Sequence, residues 1–144
     1  MKLGQLSEAA IYASDLDAAQ KFYQGVLGLE IISRMEDRGI SFRCGATVLL
    51  VFDPARTRIP DAGVPTHGAN GEGHIAFVVN GADLDPWRVR LAEHKVTIEA
   101  EVDWPGGGRS LYFRDPAGNL VELAPPNLWE PGRAKANEHL REQD

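Results

Sequence analysis

Arg-Ser-Leu-Tyr-Phe-Arg-Asp-Pro-Ala-Gly-Asn-Leu-Val-Glu-Leu, Arg109 to Leu123, reads as strand, tight turn, strand. Leu111 and Phe113 alternate with Ser110, Tyr112 and Arg114, the two-residue period of a strand with unlike faces. Asp115-Pro116-Ala117-Gly118-Asn119 carries turn chemistry, and a second strand starts at Leu120. There Val121 and Leu123 share one face, so Glu122 points to the other, with Leu120 and Ala124 beside it. An acid among apolar neighbours is costly to bury unless something pairs with it. On this stretch alone, a solvent-facing Glu on a half-exposed strand is the favoured reading.

Upstream, His74 to Asn80 reads as a strand, with Ile75, Phe77 and Val79 opposite His74, Ala76 and Val78. A helix follows: Asp85 as its cap, Pro86 at its first position, and Leu84 placed to staple against Val89. His94 and Lys95 suit its C-terminal end. Val96 to Trp104 reads as a strand and Pro105 to Gly108 as a loop. The order is β-α-β-β-β.

The same order occupies the N-terminal part. Glu8 to Ser14 is a strand, with Ala9, Ile11 and Ala13 opposite Glu8, Ala10 and Tyr12. Asp15 or Asp17 caps the next helix, whose stripe is Ala19, Phe22, Tyr23, Val26 and Leu27, and Gly28 ends it. Leu29 to Met35, Ile40 to Cys44 and Thr47 to Phe52 complete the set as three strands. The chain is therefore an internal repeat, anchored by Glu8 against His74, Phe42 against Phe113, and Gly45 against Gly118, which sets Leu49 opposite Glu122. These boundaries predict a single domain over residues 1–126: one module at about 6–54, a linker at 55–72, and a second module at about 73–126. Pro54 to Glu72 has no periodicity and holds Pro60, Gly63, Pro65, Gly68 and Gly71 as breaks, so it reads as a surface linker. Residues 127–144 form a charged tail, a frayed helix or disorder, rooted by Leu128 and Trp129.

Composition narrows the function classes. With 144 residues, 43% hydrophobic and 25% charged, the chain is an ordinary globular domain. A net charge of −6 without a basic patch argues against nucleic acid. The longest apolar run, Val48 to Phe52, is too short to span a bilayer, and Cys44 is the only cysteine. No membrane partner, intrachain disulfide or cysteine metal site is expected, and the location expected is cytoplasmic.

Strand parity predicts two unlike sheet faces. The helices cover Ile11, Leu50, Phe77, Phe113, Val121 and Leu123. The other face carries Glu8, Tyr12, Arg43, Leu49, His74, Tyr112, Arg114 and Glu122. Such polar groups make a poor second core and a good concave site; a solvated face or a polar dimer contact are the bland alternatives.

The two β-α-β-β-β halves resemble the vicinal oxygen chelate superfamily. So do Asp-Leu-Asp-Ala-Ala-Gln-Lys-Phe-Tyr, Val-Leu-Gly-Leu-Glu, Gly-His-Ile-Ala-Phe and Phe-Arg-Asp-Pro-Ala-Gly-Asn-Leu-Val-Glu-Leu. That group includes glyoxalase I, extradiol dioxygenases, methylmalonyl-CoA epimerase, fosfomycin-resistance proteins and bleomycin-binding proteins. The resemblance covers about residues 6 to 126 and implies an α+β fold, two βαβββ modules forming a cup-shaped half-barrel of mixed sheet with helices outside. It also implies a divalent metal held by Glu8, His74 and Glu122. Two positions depart from the pattern: Glu8 replaces the usual His or Gln, and Leu49 is read at the position of a glyoxalase I carboxylate.

Two carboxylates and one histidine suit Mn²⁺, Fe²⁺, Co²⁺, Ni²⁺ or Zn²⁺ without selecting one. The resemblance implies Lewis-acid chemistry on a small oxygen-chelating substrate, of the glyoxalase lyase or isomerase kind. Glu8 or Tyr12 is the candidate acid or base, and Arg43, Leu49, Tyr112 and Arg114 the candidate substrate contacts. An extradiol ring-cleaving dioxygenase is the second reading; its chemistry normally uses two histidines and one carboxylate. A non-catalytic antibiotic-binding protein of the bleomycin resistance type is the third. A homodimer is expected, its sites open to sharing between chains. His67 reads as a linker residue, Cys44 as packing, and Arg109 as a rim residue.

Overall fold

The computed structural model describes residues 1–60 and 63–141. The described chain forms two compact units. The first takes in Met1–Gly73 and the turn Asp115–Asn119; the second takes in His74–Arg114 and the chain from Leu120 onward.

The first unit runs β1 (Glu8–Tyr12), α1 (Leu16–Gln20), β2 (Glu30–Met35), β3 (Gly39–Cys44), β4 (Thr47–Phe52) and α2 (Pro54–Thr57). Its sheet has the order β1-β4-β3-β2, with β1 and β4 parallel and the other pairs antiparallel. The second unit runs β5 (His74–Val78), a 3₁₀ turn (Gly81–Asp83), α3 (Leu84–Glu93), β6 (Ile98–Asp103), β7 (Arg109–Arg114), β8 (Leu120–Ala124) and α4 (Pro131–Arg141). Its sheet repeats the first, β5-β8-β7-β6, again with one parallel pair, β5 and β8. Even the bulge recurs, between Ile31 and Ser33 in β2 and between Ile98 and Ala100 in β6. The class is α+β, with two four-stranded mixed sheets.

Each sheet buries one face. In the first unit Tyr23, Ile40, Phe42 and Val51 are fully covered; in the second, Leu91 of α3 meets the same condition with Leu111, Phe113 and Val121. Asp15 caps α1 by accepting from Ala18 N–H, and Gly28, at φ 73°, ends the helical run where its N–H donates to Gln24 O. The predicted stripe survives in altered geometry. Lys21–Val26 is a π-helix, and Leu27 N–H reaches back to Phe22 O. Within it Phe22 and Tyr23 are both buried, their rings edge-on with centroids 5.0 Å apart.

Register corrects one face assignment. Leu49 pairs with Ala9 and Phe42 and is buried on the helix-covered face with Ile11 and Val51. Leu50 pairs with Ala10 and Ser41, so Leu50, not Leu49, shares the face of Glu8, Tyr12 and Arg43. The physical reason is the length of the connection: from Phe42 to its partner Leu49 is seven residues, from Phe113 to its partner Val121 eight, so matching Gly45 to Gly118 slips the repeat by one. Pairing of Glu8 with Val48 and of His74 with Leu120 makes Leu50 the counterpart of Glu122.

Three local expectations also change. Helix α3 starts at Leu84 behind Asp83, and Asp85 forms an ion pair with Arg88 rather than a cap. Val89 is exposed, so no staple to Leu84 forms. The linker carries α2, capped by Asp53, with Thr57 fully buried and His67 N–H donating to Thr57 O. The tail is helical over Pro131–Arg141, with Leu128 buried against Trp104 and Ala124. Among the described residues no helix is long and apolar enough to cross a membrane.

The turn Asp115–Asn119 is held by buried polar groups. The Asp115 carboxylate accepts from Tyr23 Oη at 2.7 Å, Asn119 Nδ2 at 2.9 Å, Asn119 N at 2.8 Å and Ala117 N at 3.0 Å. Asn119 in turn donates to Tyr12 O at 3.1 Å and accepts from Gly73 N at 2.8 Å. Burial, then the adjacent Asp115 charge and hydrogen bond, push the Tyr23 phenol well above its ordinary pKa, so it stays a donor. Asp115→Ala strands several buried donors and is expected to lower unfolding free energy by about 3 kcal/mol or more, against about 1 kcal/mol for Tyr23→Phe. Urea unfolding of both variants checks this; equal, small losses would remove the carboxylate from its central role.

Candidate metal centre

In the second unit, β5 and β7 flank β8. Their register places Ala76 and Tyr112 across from Glu122, and Leu120 across from His74. Glu122 is only 5% exposed, which rules out the solvent-facing reading. Ser110 Oγ lies 2.5 Å from Glu122 Oε1, and Trp104 Nε1 lies 2.7 Å from Ser110 Oγ. An indole nitrogen only donates and a hydroxyl has one proton. Trp104 therefore donates to Ser110, and Ser110 donates to the carboxylate. The three residues form a directed chain ending on one carboxylate oxygen.

His74 is half exposed, so it is no core histidine. Its Nδ1 lies 3.0 Å from Leu120 O. A carbonyl only accepts, so Nδ1 carries a proton, and Nε2 is the ring nitrogen left to face Glu122. That Nε2 stands 3.4 Å from Glu122 Oε2, the oxygen Ser110 leaves unused. Two acceptors facing each other across such a gap repel unless a cation lies between them, a proton or a metal ion. The donor types, imidazole and carboxylate, are those that first-row divalent ions take, and a carbonyl behind a ligating imidazole is a common second partner. Tyr112 stacks on the His74 ring, centroids 6.4 Å apart and planes inclined by 26°. This pair of residues fits a metal ion.

The remaining candidates fall in several places. Arg114 lies on the same face of the second sheet, half exposed, with its guanidinium on Glu99 at 2.7 and 3.1 Å. Those bonds hold the Glu99 carboxyl below the ordinary glutamate range. Arg109 lies at the exposed edge, paired with Asp103. Glu8 stands on β1 of the first unit, exposed, on the face it shares with Tyr12 and the exposed Arg43. Tyr12 Oη and His67 Nδ1 share a hydrogen bond of 2.7 Å, and the His67 ring meets Phe52 edge-on at 5.0 Å. Of the three carried-over ligands the second unit brings two together, His74 and Glu122. Among the described residues no three His, Cys, Asp or Glu side chains gather closely enough to hold a metal.

Sequence reasoning missed Ser110, Trp104 and the partner role of His67. Ser110 has the parity of Tyr112 and Arg114, so its face was legible; its bond to Glu122 across a strand pair was not. It also missed the pocket wall. A concave pocket of about 870 Å³ is lined by His74, Glu122, Tyr112 and Arg114, and also by Leu128, Trp129 and Leu140 of the C-terminal segment. The available signal was Gly106-Gly107-Gly108. A Cβ on Gly106 would lie 2.9 Å from Arg133 O, and one on Gly108 would lie 2.6 Å from the Pro125 ring. The bare backbone lets the tail approach.

Comparison with known proteins bears on this geometry. The model of the glyoxalase/bleomycin resistance protein/dioxygenase superfamily matches residues 5–123. A crystal structure of lactoylglutathione lyase from Agrobacterium tumefaciens superposes with a TM-score of 0.85 at 40% identity, covering 90% of this chain and 98% of that one. Glutathione transferase FosA of Serratia marcescens is 32% identical over 84% of this chain and 80% of its own length. Biphenyl-2,3-diol 1,2-dioxygenase 2 of Rhodococcus globerulus is 29% identical over 92% of this chain and 68% of its own length. The chain belongs to the glyoxalase/bleomycin resistance protein/dioxygenase superfamily, the vicinal oxygen chelate group.

Proposed function

We propose that this chain is a divalent-metal-dependent enzyme of the vicinal oxygen chelate type. Its substrate is a small molecule that chelates through two oxygens, and its chemistry is that of a glyoxalase-like lyase or isomerase. The observation that carries the reading is the 3.4 Å approach of His74 Nε2 to Glu122 Oε2, each group already committed on its other side. Likeness to a lactoylglutathione lyase at 40% identity supports the reaction class. Leu50 occupies the position where glyoxalase I has a carboxylate, so the substrate of that enzyme is not assigned to this chain.

His74 and Glu122 would hold the ion, with Glu8 as the third ligand on the strength of the family resemblance. An ion so held would act as a Lewis acid, stabilising negative charge that develops on a chelated oxygen. The chain's own groups prepare that site. Ser110 fixes the Glu122 carboxylate by its hydrogen bond, Leu120 O fixes the His74 tautomer, and Tyr112 limits the tilt of the imidazole. Tyr12 is the acid/base candidate with a partner, since His67 Nδ1 can take or return the phenolic proton. Arg43, Tyr112 and Arg114 remain the proposed substrate contacts. A homodimer working in the cytoplasm belongs to the same reading. The edge strands support it: Glu8 and Ala10 on β1, and His74, Ala76 and Val78 on β5, present exposed side chains that a second chain would cover.

Three outcomes test this. Wild-type protein purified without added metal is expected to retain a divalent ion, and His74→Ala to lose most of it. Ser110→Ala should weaken metal affinity by roughly 10- to 100-fold, because the partner that orients the carboxylate is gone. Equal affinity in all three proteins would exclude the His74–Glu122 assignment. Simple catechols should not be ring-opened with Fe²⁺ and oxygen, since two carboxylates and a catecholate leave the centre formally at about −2. A fast ring-opening absorbance change would rank the dioxygenase first. Glu8→Ala and His74→Ala chains, refolded together, are expected to recover part of the metal binding if sites are shared. No recovery after verified subunit exchange would place all ligands on one chain.

A further inference from the structure

The family model ends at residue 123, yet the chain continues through Leu128 and Trp129 into α4. This extension is packed with care. Leu128 is buried with Trp104 and Ala124, and Val102, Tyr112 and Leu140 pack against that cluster. Gly106 N–H donates to Asn137 Oδ1 of α4 at 2.8 Å, with Asn137 fully buried. The loop that receives the helix is braced by its own backbone, Trp104 N–H to Gly108 O and Gly107 N–H to Trp104 O. Trp129, in contrast, is left 72% exposed. Trp129 and Leu140 line the same pocket as His74 and Glu122 and so offer apolar surface to whatever it holds. The pocket, about 870 Å³, is of the size that small-molecule sites have.

We infer that the C-terminal segment is the specificity wall of this pocket, and that the substrate carries an apolar alkyl or aryl group beside its chelating oxygens. This rests on the metal reading above. His74 and Glu122 hold the polar end of such a molecule through the ion, while Trp129 and Leu140 cover its apolar group. Trp104 joins the two functions: its ring packs under Leu128, and its N–H orients Ser110 toward Glu122. Detaching the tail therefore changes which substituents bind, apart from whether a metal binds.

The test compares two chelating probes, acetohydroxamate and 4-phenylbutanohydroxamate, on Mn²⁺-loaded protein by titration calorimetry. The wild type is expected to prefer the aryl probe by about tenfold or more, as burial of several carbons requires. Trp129→Ala and Leu140→Ala should each cut that preference several-fold. Gly106→Val, which touches no pocket atom, should do the same by displacing α4. Circular dichroism confirms folding of each variant. A preference near unity in the wild type, or one unchanged in all three variants, overturns the wall while leaving the metal reading intact. If the wild type holds no Mn²⁺, the metal reading falls. The wall is then judged on metal-free protein with 4-phenylbutanoate against acetate, where equal binding, or indifference to Trp129→Ala, overturns it.

Discussion

The carboxylate of Asp115 accepts four hydrogen bonds in a place almost closed to water, and the geometry of the candidate centre follows from where they come. A buried charge needs such donors, since an unpaired one costs several kcal/mol, roughly, even after relaxation. Two of the donors belong to Asn119, whose side chain is thereby turned to receive Gly73 N–H. Gly73 precedes His74, and Asn119 precedes Leu120. Fixing the first pair sets the pairing of the second, in which Leu120 O meets His74 Nδ1. Two residues further along β8 is Glu122. A turn that looks like ordinary hairpin chemistry thus sets the register on which a histidine and a carboxylate meet.

Much of this was legible because strand parity is a short-range property. The limits of β7 and the start of β8 follow from alternation around Asp-Pro-Ala-Gly-Asn, and parity put His74 and Glu122 on faces that the structure keeps out of the helix-covered core. Long-range facts were less accessible. The exchange of Leu49 for Leu50 arose because a glycine marks a turn without stating its length. The π-helical turn at Lys21–Val26 hides in a sequence whose apolar spacing suits an α-helix equally well. Residues that act through side-chain bonds across strands, Ser110 and Trp104, carry no periodic signature at all. The glycine triplet before Arg109 reads in sequence as a loop, while its lack of Cβ atoms at Gly106 and Gly108 lets the chain around Arg133 and Pro125 approach.

The two modules share strand order, pairing sense and bulge position, yet they differ at the residue that matters most. Glu122 and Leu50 occupy equivalent places, one a carboxylate held by a hydroxyl, the other an aliphatic side chain. A duplicated scaffold here carries unequal chemistry. The second module brings His74 and Glu122 to 3.4 Å, while the first keeps a phenol and an imidazole joined through Tyr12 and His67.

Trp104 takes part in two arrangements at once, and linkage gives that a measurable meaning. Its ring is underfoot for the tail, and its nitrogen sets the hydroxyl that sets Glu122. Coupling between sites is reciprocal in free energy. A constraint on the indole is therefore felt at both ends, in the packing of Leu128 and in the Ser110 bond to Glu122. The indole belongs at once to the packing that roots the tail and to the hydrogen-bond chain that ends on Glu122.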